Sequence, residues 1–239
     1  MRSISISGRP VGDAEPLYII AELGVNHDGS LDRALRLIED AAAARADAVK
    51  LQYFRAERLM GRASRLAAYQ HDAGETDPVE MLRRLELSQD EMSQIVAAAH
   101  EAGLHALVTV FSVELVDEAA SIPWDAFKIA SPDIINRPLL DRLAALGKPL
   151  ILSTGAAGLD EVRRALAWLR GAHDRLALLQ CVSAYPTAPD DASLGGISAL
   201  RAIFDGPVGY SDHTQLVQTG GLAVALGASI LEKHLTYNS

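Results

Sequence analysis

Short, nearly unbroken apolar runs alternate with longer amphipathic segments along the whole chain. The runs fall at 17–23, 48–54, 105–111, 126–130, 149–153, 176–182, 207–210 and 229–234. A strand that is apolar on both faces is buried on both faces, which is the mark of a parallel sheet. The segments between the runs read as helices. Ser30 caps one that carries Leu31, Ala34, Leu35 and Ile38 on a single face. Ser88-Gln89-Asp90-Glu91 is a capping box ahead of Met92, Ile95, Val96 and Ala99. Asn136 and Pro138 start a helix that Gly147 ends, and Asp160 opens one with Val162, Ala165, Leu166 and Leu169. Leu194, Ile197, Leu200 and Ile203 make a further stripe, and Leu222, Val224 and Ala225 another before Gly227. Eight such repeats predict an α/β fold, a (β/α)8 TIM barrel spanning 1–239 as one domain, with its last helix missing because only five residues follow His234. The first part of the longest connection, 55–78, reads as an excursion over the barrel mouth.

Composition narrows the class. The 239 residues approach the roughly 250 usual for such a barrel. With 49% hydrophobic but only 5% aromatic residues, the core must be built from Ala, Leu, Ile and Val. The net charge of −9, with no basic tract beyond the short Arg62/Arg65 and Arg83-Arg84 clusters, argues against a nucleic-acid surface. It leaves room for an anionic small molecule, because a few local lysines outweigh the global field. Cys181 stands alone, which excludes an internal disulfide or a multi-Cys metal site. The N-terminus lacks an apolar leader core, and no run approaches the roughly 20 residues that cross a bilayer. The expectation is a soluble, cytoplasmic protein without a membrane partner.

In such a barrel, chemistry gathers at the C-terminal ends of the strands. Those ends carry Glu22, Asn26 and His27; Lys50 and Gln52; Thr109 and Ser112; and Lys128, Ser131 and Asp133. They continue with Ser153 and Thr154, Ser183 and Tyr185, Ser211-Asp212-His213-Thr214 and Glu232-Lys233-His234. An ammonium inside an apolar strand costs several kcal/mol unless an anion meets it. Lys50 and Lys128 therefore need either Glu22 or Glu232 as structural counter-ions, or the phosphate and carboxylate of a ligand. Ser211 and His213 are two residues apart, as are Glu232 and His234, so each pair leaves a strand on one side. Either each imidazole is an interior hydrogen-bonded residue, or the two share a metal. Mn2+, Zn2+, Fe2+ or Co2+ suits imidazole better than Ca2+ does.

These residues sit in motifs that carry a family resemblance. The first are Ile20-Ala21-Glu22-Leu23-Gly24-Val25-Asn26-His27-Asp28-Gly29 and Asp47-Ala48-Val49-Lys50-Leu51-Gln52. Glu80-Met81-Leu82-Arg83-Arg84-Leu85-Glu86-Leu87, Phe127-Lys128-Ile129-Ala130-Ser131 and Gly147-Lys148-Pro149-Leu150-Ile151-Leu152-Ser153-Thr154-Gly155 follow. Tyr185-Pro186-Thr187, Val208-Gly209-Tyr210-Ser211-Asp212-His213-Thr214 and Gly227-Ala228-Ser229-Ile230-Leu231-Glu232-Lys233-His234 complete the set. In this order, over almost the whole chain, they resemble the barrel of the sialic acid (N-acetylneuraminate) synthase family.

The resemblance implies an enzyme that condenses phosphoenolpyruvate with an N-acylated hexose such as N-acetylmannosamine, giving a nonulosonic acid and phosphate. It implies that His213 and His234 bind a divalent metal, Mn2+ first, with Mg2+ or Co2+ as alternatives. It assigns phosphoenolpyruvate to Lys50, Thr109, Lys128, Ser131, Ser153 and Ser211, with Ser183 keeping a further contact. Gln52 and Tyr185 would face the sugar, with Asp133 also reaching toward it, and Glu22 would handle protons. It further implies a homodimer, in which a C-terminal antifreeze-like domain, absent from this chain, caps the partner's site. Pro132-Asp133 replaces the family's Gly-Glu, and Val110-Phe111 its Pro-Phe. Two alternatives remain: synthesis of a related acid (legionaminate, pseudaminate, a spore-coat or antibiotic sugar), or a non-catalytic or incomplete barrel that needs a partner chain.

Overall fold

Alternation within eight strands organises the molecule, a computed structural model that describes residues 3–59 and 77–237. The strands are β3 (Tyr18–Glu22), β4 (Ala48–Tyr53), β5 (His105–Val110), β6 (Ala126–Ile129), β7 (Leu150–Ser153), β8 (Leu176–Gln180), β9 (Val208–Asp212) and β10 (Ile230–His234). All pair in parallel and close in the order β10-β3-β4-β5-β6-β7-β8-β9. This is the predicted (β/α)8 barrel, with strand ends displaced by a residue or two. The largest extension is β9, which runs on through Ser211 and Asp212 because Glu232 and Lys233 of β10 lie opposite them.

Inward residues of the lower strand halves, among them Tyr18, Ile20, Ala48, Leu107, Ala126, Ile151, Ala177, Leu179 and Ile230, form one buried cluster. Ile4, Ile6 and Val11 join it from an N-terminal hairpin, β1 (Ile4–Ile6) and β2 (Arg9–Val11). This hairpin plugs the barrel floor and was not anticipated from the sequence. Its signal is an alternating Ile-x-Ile beside Ser7-Gly8, whose φ values of 45° and 85° suit a tight primed turn. Each buried isoleucine contributes about 1.5–3 kcal/mol. Polar contacts pin the hairpin to the barrel: the Ser7 hydroxyl donates to Asp125, and Arg9 pairs with Asp47 at 2.5 Å.

Outward strand residues, such as Val49, Leu51, Val108, Ile129 and Leu152, pack under the helices. These are α1 (Leu31–Ala43), α2 (Ala56–Leu59), α3 (Pro78–Arg83), α4 (Gln89–Glu101), α5 (Val116–Ala120), α6 (Arg137–Ala145), α7 (Leu159–Trp168), α8 (Gly195–Arg201) and α9 (Gln218–Ala225). Ser30, the Ser88–Glu91 capping box and Asn136 cap their helices as predicted. Asp160 does not open α7. Gly158 is its N-cap, and its N–H is met by Glu161 at 2.9 Å, so Asp160 stands in the first turn.

The stripe predicted for α9 is corrected more sharply. Its buried face is Thr219, Gly220 and Ala223, while Leu222 and Val224 are 56% and 39% exposed. Gly220 lies so close to β10 that a Cβ there would come within 2.8 Å of Leu231 Cδ2, so the small residues must turn inward. Residues 235–237, which follow β10, form no helix. Of the proposed excursion over 55–78, residues 60–76 lie outside the described residues.

Candidate active site

Above the apolar layer, the inward positions turn polar in one step. Continuing each strand by twos from its buried inward residue reaches Glu22, Lys50 and Gln52, Thr109, Lys128, Ser153, Ser211, and then Glu232 and His234. Register brings them together laterally: Glu22 lies opposite Lys50 and His234, Gln52 opposite Thr109, and Ser211 opposite Glu232. They line a cavity of about 530 Å3 at the C-terminal mouth, with Ser131, Ser183, Tyr185 and His213 from the loops above. Every residue to which the family resemblance gives a role lines this cavity except Asp133, while the strand-end candidates His27, Ser112 and Thr154 lie outside its lining. Asp133 stands in the 3-10 turn Ser131–Ile135, where its carboxylate accepts from Asn136 Nδ2 at 3.4 Å and burial raises its pKa.

The lysines have the counter-ions that burial demands. Lys50 forms an ion pair with Glu22 Oε2, donates to Thr109 Oγ1 at 3.2 Å and lies 3.6 Å from Glu232 Oε2. Lys128 donates to Ser153 Oγ at 2.5 Å and lies 3.7 Å from Glu232 Oε1. Burial pulls Lys50 down, yet Glu22 and Glu232 outweigh it and hold this ammonium above the ordinary lysine range. Lys128 has only Glu232 close by and a like charge in Lys50, so burial prevails and lowers it. Glu232, although fully buried, is held below the usual carboxylate range by Lys128, Lys50 and the Ser211 hydroxyl. Two cations and two carboxylates thus share the cavity floor. Sequence reading gives Glu232 as a counter-ion and as the carboxylate on the same side of its strand as His234, whereas the structure makes it the centre of this cluster. The signal was a carboxylate inside an apolar run, in phase with His234.

At one edge the two imidazoles stand 5.9 Å apart between ring centroids, with the Tyr185 ring 4.1 Å from His213 and 5.8 Å from His234. His213 Nδ1 lies 2.6 Å from the Val182 carbonyl. A carbonyl only accepts, so Nδ1 carries the proton, and burial keeps the ring neutral by lowering its pKa. The lone pair is then on Nε2, which is 3.2 Å from Ser211 Oγ. Ser211 gives its single proton to Glu232 at 2.8 Å. The Nε2 lone pair is therefore unclaimed and faces the cavity. A backbone carbonyl that fixes the distal ring nitrogen is the usual support of a metal-binding histidine. His234 lines the same cavity. Among the described residues, no group of three or more His, Cys, Asp or Glu side chains gathers as a closed metal centre. The donor set is an open pair.

The alternate residues face the other way and brace the loops. Asp212 accepts from Thr214 N and Oγ1 and pairs with Lys233 at 2.7 Å, and Lys233 also donates to the carbonyls of Thr214 and Leu216. Below the mouth, Ser131 Oγ accepts from Gly155 N at 3.0 Å and meets Cys181 Sγ at 3.1 Å. Phe111 and Cys181 line the cavity and were not among the predicted contacts. Their apolar neighbours in sequence concealed them.

A closed parallel barrel with buried lysines, hydroxyls and carboxylates at its C-terminal mouth is the architecture of a barrel enzyme. The chain belongs to the NeuB family, whose model matches residues 37–239. It is 38% identical over 235 residues to N,N'-diacetyllegionaminic acid synthase of Legionella pneumophila, covering 95% of this chain and 66% of the relative. It is 36% identical over 239 residues to N-acetylneuraminate-9-phosphate synthase of Mus musculus, covering 96% of this chain and 64% of that protein. The chain thus spans about two thirds of the length of these relatives. Among solved structures, the N-acetylneuraminic acid synthetase of Leptospira borgpetersenii, in complex with citrate, superposes with a TM-score of 0.90 at 33% identity, over 99% of this chain and 79% of that one. No helix among the described residues is long and apolar enough to cross a membrane.

Proposed function

We propose that the chain is a phosphoenolpyruvate-dependent sugar-acid synthase, joining phosphoenolpyruvate to an N-acylated hexose. The observation that carries this reading is the pair of buried lysines on the cavity floor, ringed by Thr109, Ser131, Ser153 and Ser211 and set beside two imidazoles. Two ammonium groups and several hydroxyls match a ligand with both a phosphate and a carboxylate. The family membership and the sugar-acid synthases among the relatives support the same reading.

Lys50 and Lys128 would receive the two anionic groups and orient the enol, with Ser183 adding a contact at the rim. Gln52 and Tyr185 would face the open-chain sugar. Glu22, whose Oε1 accepts from Gly24 N at 2.8 Å and Gln52 Nε2 at 3.3 Å, is placed to move a proton. The reaction balances as follows: C3 of the enol bonds to the aldehyde carbon, C2 takes water, and the tetrahedral centre expels phosphate to leave a 2-keto acid. His213 and His234 would hold a divalent cation, Mn2+ first and Mg2+ or Co2+ as alternatives, which supplies Lewis-acid polarisation of an aldehyde oxygen. The acceptor is an N-acetylmannosamine-like hexose or the precursor of a legionaminate, pseudaminate or spore-coat type acid. Mass spectrometry of the product from a panel of hexoses distinguishes them.

A second reading has an observation of its own. Val217, Leu222 and Leu226, on and beside α9, are 88%, 56% and 44% exposed, an apolar face that a further polypeptide would cover. In that case the barrel turns over only with a partner chain. Phosphoenolpyruvate binding without phosphate release favours this reading, and turnover by the chain alone excludes it.

A further inference from the structure

The carboxylate of Glu232 lies between two ammonium groups, 3.6 Å from Lys50 and 3.7 Å from Lys128. Both distances exceed a hydrogen bond, so the charges are balanced while no N–H is used. Its geometry is fixed from elsewhere, by the Ser211 hydroxyl at 2.8 Å. Glu232 Oε2 is buried and accepts no hydrogen bond. Of the three N–H donors on Lys128, a single one has a hydrogen-bond partner among the described residues, Ser153 Oγ.

We propose that Glu232 is a positioning residue that neutralises Lys128 from beyond hydrogen-bond distance and so keeps the N–H donors that Ser153 does not take free for an anionic group of the substrate. This assignment rests on the phosphoenolpyruvate reading above. A carboxylate in direct contact would compete with the incoming anion for the same protons. With no carboxylate at all, Lys128 would be an isolated buried ammonium and would shed its proton. The groups facing Lys128 are Glu232 on β10, Lys50 on β4, Glu22 on β3, Cys181 after β8 and His213 after β9. Of the two carboxylates, Glu232 contributes the larger share of its support, and the Glu22 carboxylate is engaged by Lys50.

The test is calorimetric titration of phosphoenolpyruvate into the full chain, unaltered and as Glu232→Gln and Glu232→Asp, at about pH 8 and about pH 6. Affinities are taken as the ratio of unaltered to variant protein at each pH, which cancels the titration of the ligand itself. For Glu232→Gln the expected ratio is about tenfold or more at the higher pH, falling on acidification as Lys128 regains its proton. For Glu232→Asp, which keeps the charge, it stays within about threefold at both. A Glu232→Gln ratio that is the same at both pH values overturns the proposal, as does a loss in Glu232→Asp equal to that in Glu232→Gln. Should Glu232→Gln fail to fold, Glu232→Asp decides: near-unaltered affinity supports the proposal, and a large loss at both pH values overturns it. Absence of phosphoenolpyruvate binding by the unaltered chain instead overturns the functional reading, and this assignment with it.

Discussion

Asp212 on β9 and Lys233 on β10 form a 2.7 Å ion pair on the outside of the barrel, back to back with Ser211 and Glu232 on the inside. One lateral pairing of two strands thus serves two purposes. Its inward residues build the cavity floor, and its outward residues hold the loop that carries His213. The Asp212 side chain has no solvent exposure, and it also accepts from both Thr214 donors. Replacing it by Asn leaves Lys233 without its charge partner and should cost about 1–3 kcal/mol of stability in urea denaturation. A change inside about 0.5 kcal/mol contradicts the bracing role.

Of the two cavity lysines, Lys128 has the more free N–H donors, and Lys128→Met removes them. Phosphate release from phosphoenolpyruvate should fall about 100- to 1,000-fold in kcat/KM, the scale of losing one preorganised donor to a developing anion. Steady-state phosphate detection with a fold check by circular dichroism measures it. Unchanged kcat/KM contradicts the placement of the anion.

The His213 tautomer leaves Nε2 as the donor atom, so His213→Ala should weaken Mn2+ binding by at least about tenfold. Electron paramagnetic resonance of free Mn2+ reads this without any turnover. Stripping the cation with a chelator should silence phosphate release by the unaltered chain, and added Mn2+ should restore it. Equal Mn2+ affinity in the variant contradicts the metal pair.

Acid stability should depend on Asp125 at the barrel floor. Burial pushes its carboxyl up, but the Ser7 hydroxyl, the Ala106 N–H and His100 hold it below the usual range overall. A depressed folded pKa stabilises the fold above the unfolded value of about 3.9 and loses that contribution as pH falls through the folded value. The gap in melting temperature between the unaltered chain and Asp125→Asn should therefore be full above about pH 4 and close below it. A gap that widens on acidification contradicts the assignment.

The strands were legible because burial on both faces leaves an apolar run that no surface segment imitates. The site was legible because Lys50 and Lys128 break such runs, and a charge inside a core needs a reason. What escaped detection depended on distance rather than pattern. The inward face of α9 follows from the closeness of Gly220 to Leu231, which composition does not encode. The floor hairpin is too short to show a period beyond Ile4, Ile6 and Val11. Asp133 has the right chemistry on the right loop, yet the turn around Asn136 keeps it outside the cavity lining. Glu232 was visible as a charge, but its station midway between two lysines is a property of register, which appears only when β10 pairs with β9 and β3.

The most direct measurement is phosphate release by the purified chain supplied with phosphoenolpyruvate, Mn2+ and each member of a panel of N-acylated hexoses. The account predicts release that requires a hexose from the panel and yields one phosphate per 2-keto sugar acid formed. Release that ignores the hexose, or no release with any member of the panel, contradicts it.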